Sequence, residues 1–199
     1  MRGIRLYTPA ELPSPDRREI LRYAGERGEG TEILPLLEEC IAELLPALTY
    51  RAVYTELPLG EENPYGFAHR LAGCESVILF MATVGLAPDR AVIRYGHSAP
   101  ARALLCQAIG AERIEALCDA LCAELAREAE AEGRALCPRF SPGYGDCPLT
   151  LQRELSEILE TPKRIGVCVG ESLLLTPTKS VSAIIGVRKK EEKEGGDLL

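Results

Sequence analysis

The chain has 199 residues, of which 46% are hydrophobic and 27% charged, so a buried core and a solvated surface are both expected. The formal net charge is -7 and the sequence shows no concentrated basic face, which argues against a nucleic-acid partner. The N-terminus lacks the apolar stretch of a secretory signal, and the longest apolar run is too short to span a bilayer, so we expect a cytoplasmic protein with no membrane partner.

The first predicted elements are two helices. Residues 15–28 are typical of a short helix with Asp16 at its start. Between residues 33 and 48 the apolar positions recur every three or four residues, which predicts an amphipathic helix that buries one face. Thr31 is available as the cap of this second helix.

Two strands and a long helix are predicted next. Residues 50–57 are rich in β-branched and aromatic side chains, which is typical of a strand. Residues 76–83 form a nearly continuous apolar run, as expected of a strand covered on both faces. A helical pattern extends over residues 98–132, and we expect a bend or a split near Gly110.

The remaining elements are mixed. A loop rich in Gly and Pro covers residues 139–148 and precedes a short helix at 149–159. Strands are predicted at 165–169 and 181–187, separated by a turn that contains proline. Because strands and helices do not alternate regularly, the pattern favours an α+β fold around an antiparallel or mixed sheet.

Eight cysteines are present without any C-x-x-C pair, which weakens zinc-ribbon and thioredoxin-like interpretations. We expect reduced thiols in a reducing compartment. The alternative is a metal or iron–sulfur cluster built from Cys118, Cys122, Cys137 and Cys147. His69 and His97 lie too far apart for a local metal motif, so we predict no metal site at the histidines.

One region carries a series of spaced residues, arranged as R-x-x-x-G-Y at 139–144, Pro148, I-G-x-x-x-x-E-S at 165–172 and P-x-x-S-V-S at 177–182. The region resembles the activation domain of cobalamin-dependent methionine synthase. The segments at 51–54, 71–85 and 114–121 resemble single-domain relatives of that module, found where the methionine synthase is split. The resemblance covers about residues 16–187.

The resemblance implies a helmet-like α+β domain with a bent antiparallel sheet and flanking helices, here over residues 16–188, between an N-terminal extension at 1–15 and a charged disordered tail at 189–199. It implies a subunit that binds S-adenosylmethionine (AdoMet) and supports reductive methylation of oxidised cobalamin. The cobalamin is expected on a partner methionine synthase subunit, and the electron from a flavodoxin-like or other low-potential donor. The chain is then an accessory subunit of a methyltransferase, with no catalytic side chains of its own.

The resemblance also implies the ligand contacts. An arginine grips a carboxylate through two parallel hydrogen bonds, which suits Arg139 to the amino-acid tail of AdoMet. Glu115 suits the ammonium group, and the ring of Tyr144 suits the sulfonium or the adenine. Glycine permits close approach of backbone to ligand. The implied AdoMet-binding residues are Arg139, Ser141, Gly143, Tyr144, Glu115, Glu171 and Ser172.

Other interpretations stay open. The loop at 139–148 has the composition of a plain tight turn before a helix, and Glu171 and Ser172 suit backbone hydrogen bonds at a hairpin end. The chain as a whole is compatible with a reactivation partner of another corrinoid methyltransferase, or with a non-enzymatic docking module of the same fold. A Rossmann-type methyltransferase is not supported, because Pro148 stands where the third glycine of the dinucleotide fingerprint belongs.

Overall fold

The computed structural model describes residues 3–26, 32–60 and 68–190. The strands in these ranges are β1 (Arg5–Tyr7), β2 (Arg51–Pro58), β3 (Ser76–Thr83), β4 (Arg134–Leu136), β5 (Cys168–Val169), β6 (Leu175–Thr176) and β7 (Ser180–Lys189). The α-helices are α1 (Arg17–Tyr23), α2 (Leu34–Leu44), α3 (Ala87–Tyr95), α4 (Pro100–Ala131), α5 (Leu151–Leu159) and α6 (Thr161–Arg164). Two short 3₁₀ helices cover Leu45–Ala47 and Ala68–Leu71.

Five strands form one antiparallel sheet in the order β1-β2-β3-β7-β4, and β5 pairs with β6 in a separate two-stranded sheet. The strand β7 therefore lies between β3 and β4, although it follows both in the sequence. An isolated bridge between Phe140 and Ile184 extends the pairing of β7 into the loop after β4. The predicted α+β fold with an antiparallel sheet flanked by helices is confirmed.

The strand β3 shows why the sheet is buried on both faces. Side chains alternate between the faces of a strand, so Ile78, Phe80 and Ala82 enter the core beneath α4, whereas Val77, Leu79 and Met81 enter the core beneath α5. All eight residues of β3 are buried. The strand predicted at 76–83 is confirmed with identical limits.

The helices α1, α2 and α4 cover the face of the sheet that carries Ile78, Phe80 and Ala82. Asp16 caps α1, because its side chain accepts hydrogen bonds from the backbone N–H groups of Arg18 (2.9 Å) and Glu19 (3.3 Å). Thr31, the predicted cap of α2, lies outside the described residues. The predicted apolar faces of α2 and α4 are buried, with α2 contributing Leu37, Cys40, Ile41 and Leu44 and α4 contributing Ile114, Leu117, Cys118, Leu121 and Leu125.

The helix α4 is continuous through Gly110, so the predicted split there was wrong, and the predicted bend stays a prediction. The physical reason for the glycine is packing. A Cβ atom at position 110 would lie 2.9 Å from Cβ and Cγ of Pro88 and 2.9 Å from Cγ of Lys179. Gly110 thus lets α3 and the start of β7 approach the helix axis. The helix α3, a short helix in which only Pro88 and Ala91 are buried, was not predicted from the sequence.

The prediction of a strand at 165–169 was also wrong in extent. Only Cys168 and Val169 are in a strand, and they pair with β6 rather than with the main sheet. Ile165 and Val167 are buried in the core beneath α5, and the backbone N–H groups of both donate to the carbonyl oxygen of Thr161. The apolar pattern here reflects burial under α5 and not a strand.

The residues predicted as an N-terminal extension contribute to the same sheet. In β1, Arg5 pairs with Tyr54 of β2, and the carbonyl oxygen of Pro13 accepts a 2.7 Å hydrogen bond from Nη1 of Arg113 on α4. The boundaries at 15/16 and 188/189 stay predictions, and residues 191–199 of the predicted tail lie outside the described ranges. Among the helices that the structure describes, none combines the length and the apolar composition needed to cross a bilayer.

Candidate functional site

An open groove of about 660 Å³ lies beside the start of β7. Its walls come from α4, the loop 139–148, α5 and β6, and Arg70 of the second 3₁₀ helix closes one side. The lining residues are Arg70, Glu115, Arg139, Phe140, Ser141, Pro142, Tyr144, Gly145, Gln152, Leu175, Ser180, Val181 and Ser182. The groove is thus built from segments that are far apart in sequence.

The structure brings together four of the predicted ligand contacts, since Arg139, Ser141, Tyr144 and Glu115 all line the groove. Gly143 lies between them in the loop, with a φ of 91° and with Cδ1 of Leu149 3.1 Å from the position a Cβ would take. Two predicted contacts lie elsewhere: Glu171 and Ser172 are exposed in the turn that joins β5 to β6.

Arg139 is held by two carboxylates from one face of α4. Its Nη2 donates to Oε2 of Glu115 at 2.7 Å and to Oδ1 of Asp119 at 2.9 Å. Both acids share that face because they are four residues apart. The side chains of Arg139 and Glu115 are 27% and 41% exposed, so water and solutes reach the pair. Since Nη2 makes both bonds, Nη1 and Nε of Arg139 donate to neither carboxylate.

Two cysteines of α4 lie behind Arg139. Burial raises the pKa of the Cys118 thiol to about 12, although the nearby Arg139 charge acts in the opposite direction. Burial also raises the pKa of Cys122. At neutral pH these side chains are therefore neutral thiols that pack beneath the groove and do not act as anionic ligands.

The four-cysteine cluster has no counterpart in the structure. No group of three or more His, Cys, Asp or Glu side chains among the described residues, which include Cys118, Cys122, Cys137 and Cys147, is arranged to hold a metal ion. Cys147 is buried in the core beneath α5, whereas Cys137 lies beside Cys74. The sequence spacing that motivated this alternative does not bring the four thiols together.

A second cation, Arg70, was missed by the sequence analysis. Its Nε donates to Oδ1 of Asp146 at 3.0 Å, and its guanidinium lies 5.4 Å from the ring centroid of Phe140. The φ of 62° at Gly145 favours glycine, and a Cβ there would also come within 2.7 Å of Nη2 at the flexible end of Arg70. The Arg70 hydrogen bond holds the pKa of the Asp146 carboxyl below its usual range. No local motif marks Arg70, because its partners lie about seventy positions along the chain.

The serines of the P-x-x-S-V-S motif are engaged in the framework of the groove. Ser182 donates from Oγ to Oε1 of Gln152 at 2.9 Å, and Gln152 donates from Nε2 to the carbonyl oxygen of Leu173 at 2.6 Å. Ser180 donates to the carbonyl oxygen of Pro177 at 2.7 Å. Arg153 of α5 donates to the backbone carbonyl of Glu171 at 3.0 Å. These bonds hold the β5–β6 turn against α5 and β7, behind the groove wall.

No protein-family model and no curated protein sequence matches this chain. Its structure is similar to the crystal structure of the MetH reactivation domain bound to AdoHcy, with a TM-score of 0.61 and 18% sequence identity. The similarity covers 86% of this chain and 70% of that chain. At this level of identity the similarity shows the fold, so the predicted activation-domain-like fold is confirmed.

Proposed function

We propose that this chain binds AdoMet in the groove and supports reductive methylation of cobalamin, as the activation subunit of a split cobalamin-dependent methionine synthase. One observation carries the proposal. Four of the ligand contacts that the resemblance implies line one groove: Arg139, Ser141, Tyr144 and Glu115. They do so in a fold shared with a domain whose crystal structure contains AdoHcy.

The groups present fit the ligand. The Nη1 and Nε groups of Arg139, which Glu115 and Asp119 leave unused, are donors available to the amino-acid carboxylate. Glu115 suits the ammonium group, and the ring of Tyr144, 71% exposed, is available to the sulfonium or the adenine. A volume of about 660 Å³ lies within the usual range for small-molecule sites.

The roles proposed for the side chains are binding and orientation. AdoMet supplies the methyl group and cobalamin the acceptor, so the difficult chemistry belongs to these groups. The chain has to hold the ligand with its methyl group facing the partner, and Arg139 does this by fixing the amino-acid end. We assign no general base or covalent nucleophile to the groove.

The partners follow from the same proposal. The groove is open and Tyr144 is largely exposed, which supports docking of a second protein over the bound ligand. We propose that this protein is a cobalamin-binding methionine synthase subunit, and that a flavodoxin-like or other low-potential donor supplies the electron. All three proteins would meet in the cytoplasm.

The test is calorimetric titration of the full chain with AdoMet and with AdoHcy. We expect saturable one-site binding, weakened about tenfold or more in Arg139→Ala, because a charge-assisted hydrogen bond contributes roughly 1.5–3 kcal/mol. Arg94→Ala is the matched control, since Arg94 is an exposed arginine of α3 that pairs with Glu43 outside the groove. Absence of wild-type binding at millimolar ligand, or equal losses in both variants, would contradict the proposal.

A further inference from the structure

Two cysteines meet next to β7. Cys74 lies between the second 3₁₀ helix and β3, Cys137 follows β4, and their Sγ atoms are 3.6 Å apart. They approach each other across β7 at Gly186, whose carbonyl oxygen accepts a 2.8 Å hydrogen bond from the N–H of Cys137. A Cβ at Gly186 would lie 2.5 Å from Sγ of Cys74 and 3.5 Å from Cβ of Cys137. The missing side chain at position 186 is what allows the two thiols to meet.

Solvent access distinguishes this pair from a second one. Cys74 and Cys137 are both half-buried. Cys40 and Cys106 also interact through their side chains, but they are only 0% and 1% exposed. A small reagent in water therefore reaches the first pair and not the second, and the chain contains its own control.

We propose that Cys74 and Cys137 form a reversible dithiol–disulfide site that reacts with low-molecular-weight disulfides of the glutathione type. The thiolate of one cysteine attacks a sulfur of oxidised glutathione, forms a mixed disulfide and releases one glutathione thiolate. The second cysteine, after losing its proton to solvent, attacks the protein sulfur of the mixed disulfide and releases the second glutathione. The two cysteines lose two electrons and two protons, and one molecule of oxidised glutathione becomes two molecules of reduced glutathione.

Formation of the disulfide requires that the two sulfur atoms move closer and that a thiol loses its proton. A disulfide bond is ~2.05 Å long, so the sulfurs have to approach each other by about 1.5 Å from their present separation. Burial, followed by the hydrogen bond and the charge of Cys137, raises the pKa of Cys74 to about 11. The Cys74 thiolate is therefore scarce at neutral pH, and its attack on a disulfide accelerates as the pH rises.

The disulfide would connect two walls of the groove. Arg70 lies four residues before Cys74 and Arg139 two residues after Cys137, and both arginines line the groove. Arg70 also holds the loop 139–148 through Asp146. A covalent link between the two cysteines thus ties the segment that carries Arg70 to the segment that carries Arg139.

Peptide mapping tests the bond itself. The full chain is incubated with oxidised glutathione at about pH 8.5, where the thiolate fraction is larger, then unfolded, alkylated and digested with trypsin. Residues 71–90 and 135–139 are separate tryptic peptides that contain Cys74 and Cys137 as their single cysteines. We expect these two peptides linked, and free again after dithiothreitol. In Cys74→Ser we expect no link. Cys106, in the peptide 103–113, serves as the internal control and should be alkylated in both proteins, with and without oxidised glutathione.

Two results would contradict the proposed Cys74–Cys137 disulfide: stable mixed disulfides with glutathione on either cysteine, or a preferred link that involves another cysteine.

Hydrogen exchange tests, without any ligand, whether the disulfide restricts the two walls of the groove. The amides of residues 72–75 and 137–147 should exchange at least about threefold more slowly in the oxidised protein than in the reduced one, because the link restricts local opening. If the disulfide is mapped but the exchange rates of residues 137–147 are unchanged, the proposed link between the disulfide and the groove is wrong. Cys74→Ser treated in the same way reports any general effect of the oxidant.

Discussion

Two arginine–glutamate pairs have their glutamates about one turn apart on α4, and the pairs differ mainly in burial. Arg113 and Glu112 are 2% and 8% exposed, with Nε and Nη2 each 2.5 Å from a carboxylate oxygen. Arg139 and Glu115 form a single 2.7 Å bond that is open to solvent. The chemistry of the two pairs is the same, so their different surroundings decide what each contributes.

The buried pair organises the fold. Besides Glu112, Arg113 bonds the carbonyl oxygen of Pro13, and Glu112 accepts a 3.2 Å hydrogen bond from the N–H of Asp16. The N-terminal segment is thereby fixed on α4. The open pair adds little stability, since solvent screens exposed charges, but its arginine keeps donors available. The buried Arg113 therefore stabilises the fold, whereas the partly exposed Arg139 is available to bind a ligand.

The largest effect is expected from breaking the buried pair. Arg113→Met leaves the Glu112 carboxylate buried without its guanidinium, which costs about 3–5 kcal/mol of unfolding free energy. Urea denaturation measures the loss. A double variant with Glu112→Leu and Arg113→Met should recover at least half of it, because no charge then remains buried. A loss below about 1 kcal/mol in the single variant would show that the pair is not needed for stability.

A smaller loss is expected one turn earlier, where α4 is packed closely but carries no charge. Gly110→Ala adds a Cβ at 2.9 Å from the rigid ring of Pro88, and overpacking of this kind costs about 1–3 kcal/mol. The better helix propensity of alanine, worth about 1 kcal/mol, offsets part of this. Thermal unfolding gives the net change. A stabilised variant would mean that α3 moves away freely and that this part of α4 is not closely packed.

The smallest effect is expected at the open pair. Asp119→Asn should change the unfolding free energy by less than about 0.5 kcal/mol, because the Asp119 side chain is 73% exposed. Affinity for AdoHcy should rise about two- to threefold, since Arg139 loses an anion that competes with the ligand carboxylate. Glu124→Gln removes the same charge from α4 outside the groove and serves as the control. Weaker binding in Asp119→Asn would show that this carboxylate contacts the ligand directly.

Elements with strong periodic patterns were predictable from the sequence. The apolar run of β3 and the apolar face of α4 are long enough to be read locally, and both are confirmed. The short strands β1 and β4 have three residues each and depend on pairing with distant partners, so no local signal marks them. Residues 165–169 resembled a strand because burial beneath α5 requires apolar residues whatever the backbone conformation.

In the candidate site too, residues that are close in sequence were predictable, whereas residues that only the tertiary fold brings together were not. The loop segment 139–144 contains three of the predicted contacts, Arg139, Ser141 and Tyr144, which are close in sequence and line the groove together. Arg70 and Gln152 also line the groove, but only the tertiary fold brings them there. Asp119 could have been found, because it follows Glu115 by four residues on a predicted helix. The roles of these residues in ligand binding stay predictions.

The position of β7 has a consequence for the nascent chain. Phe80 of β3 pairs with Ala183 of β7, so the middle of the sheet joins segments about a hundred residues apart. On the ribosome β3 is complete long before β7 is made, and one of its backbone edges lacks a partner during that time. Pairing over such a distance closes slowly, and an unpaired apolar edge is a template for aggregation. The polypeptide is therefore most vulnerable in the interval between the synthesis of these two strands.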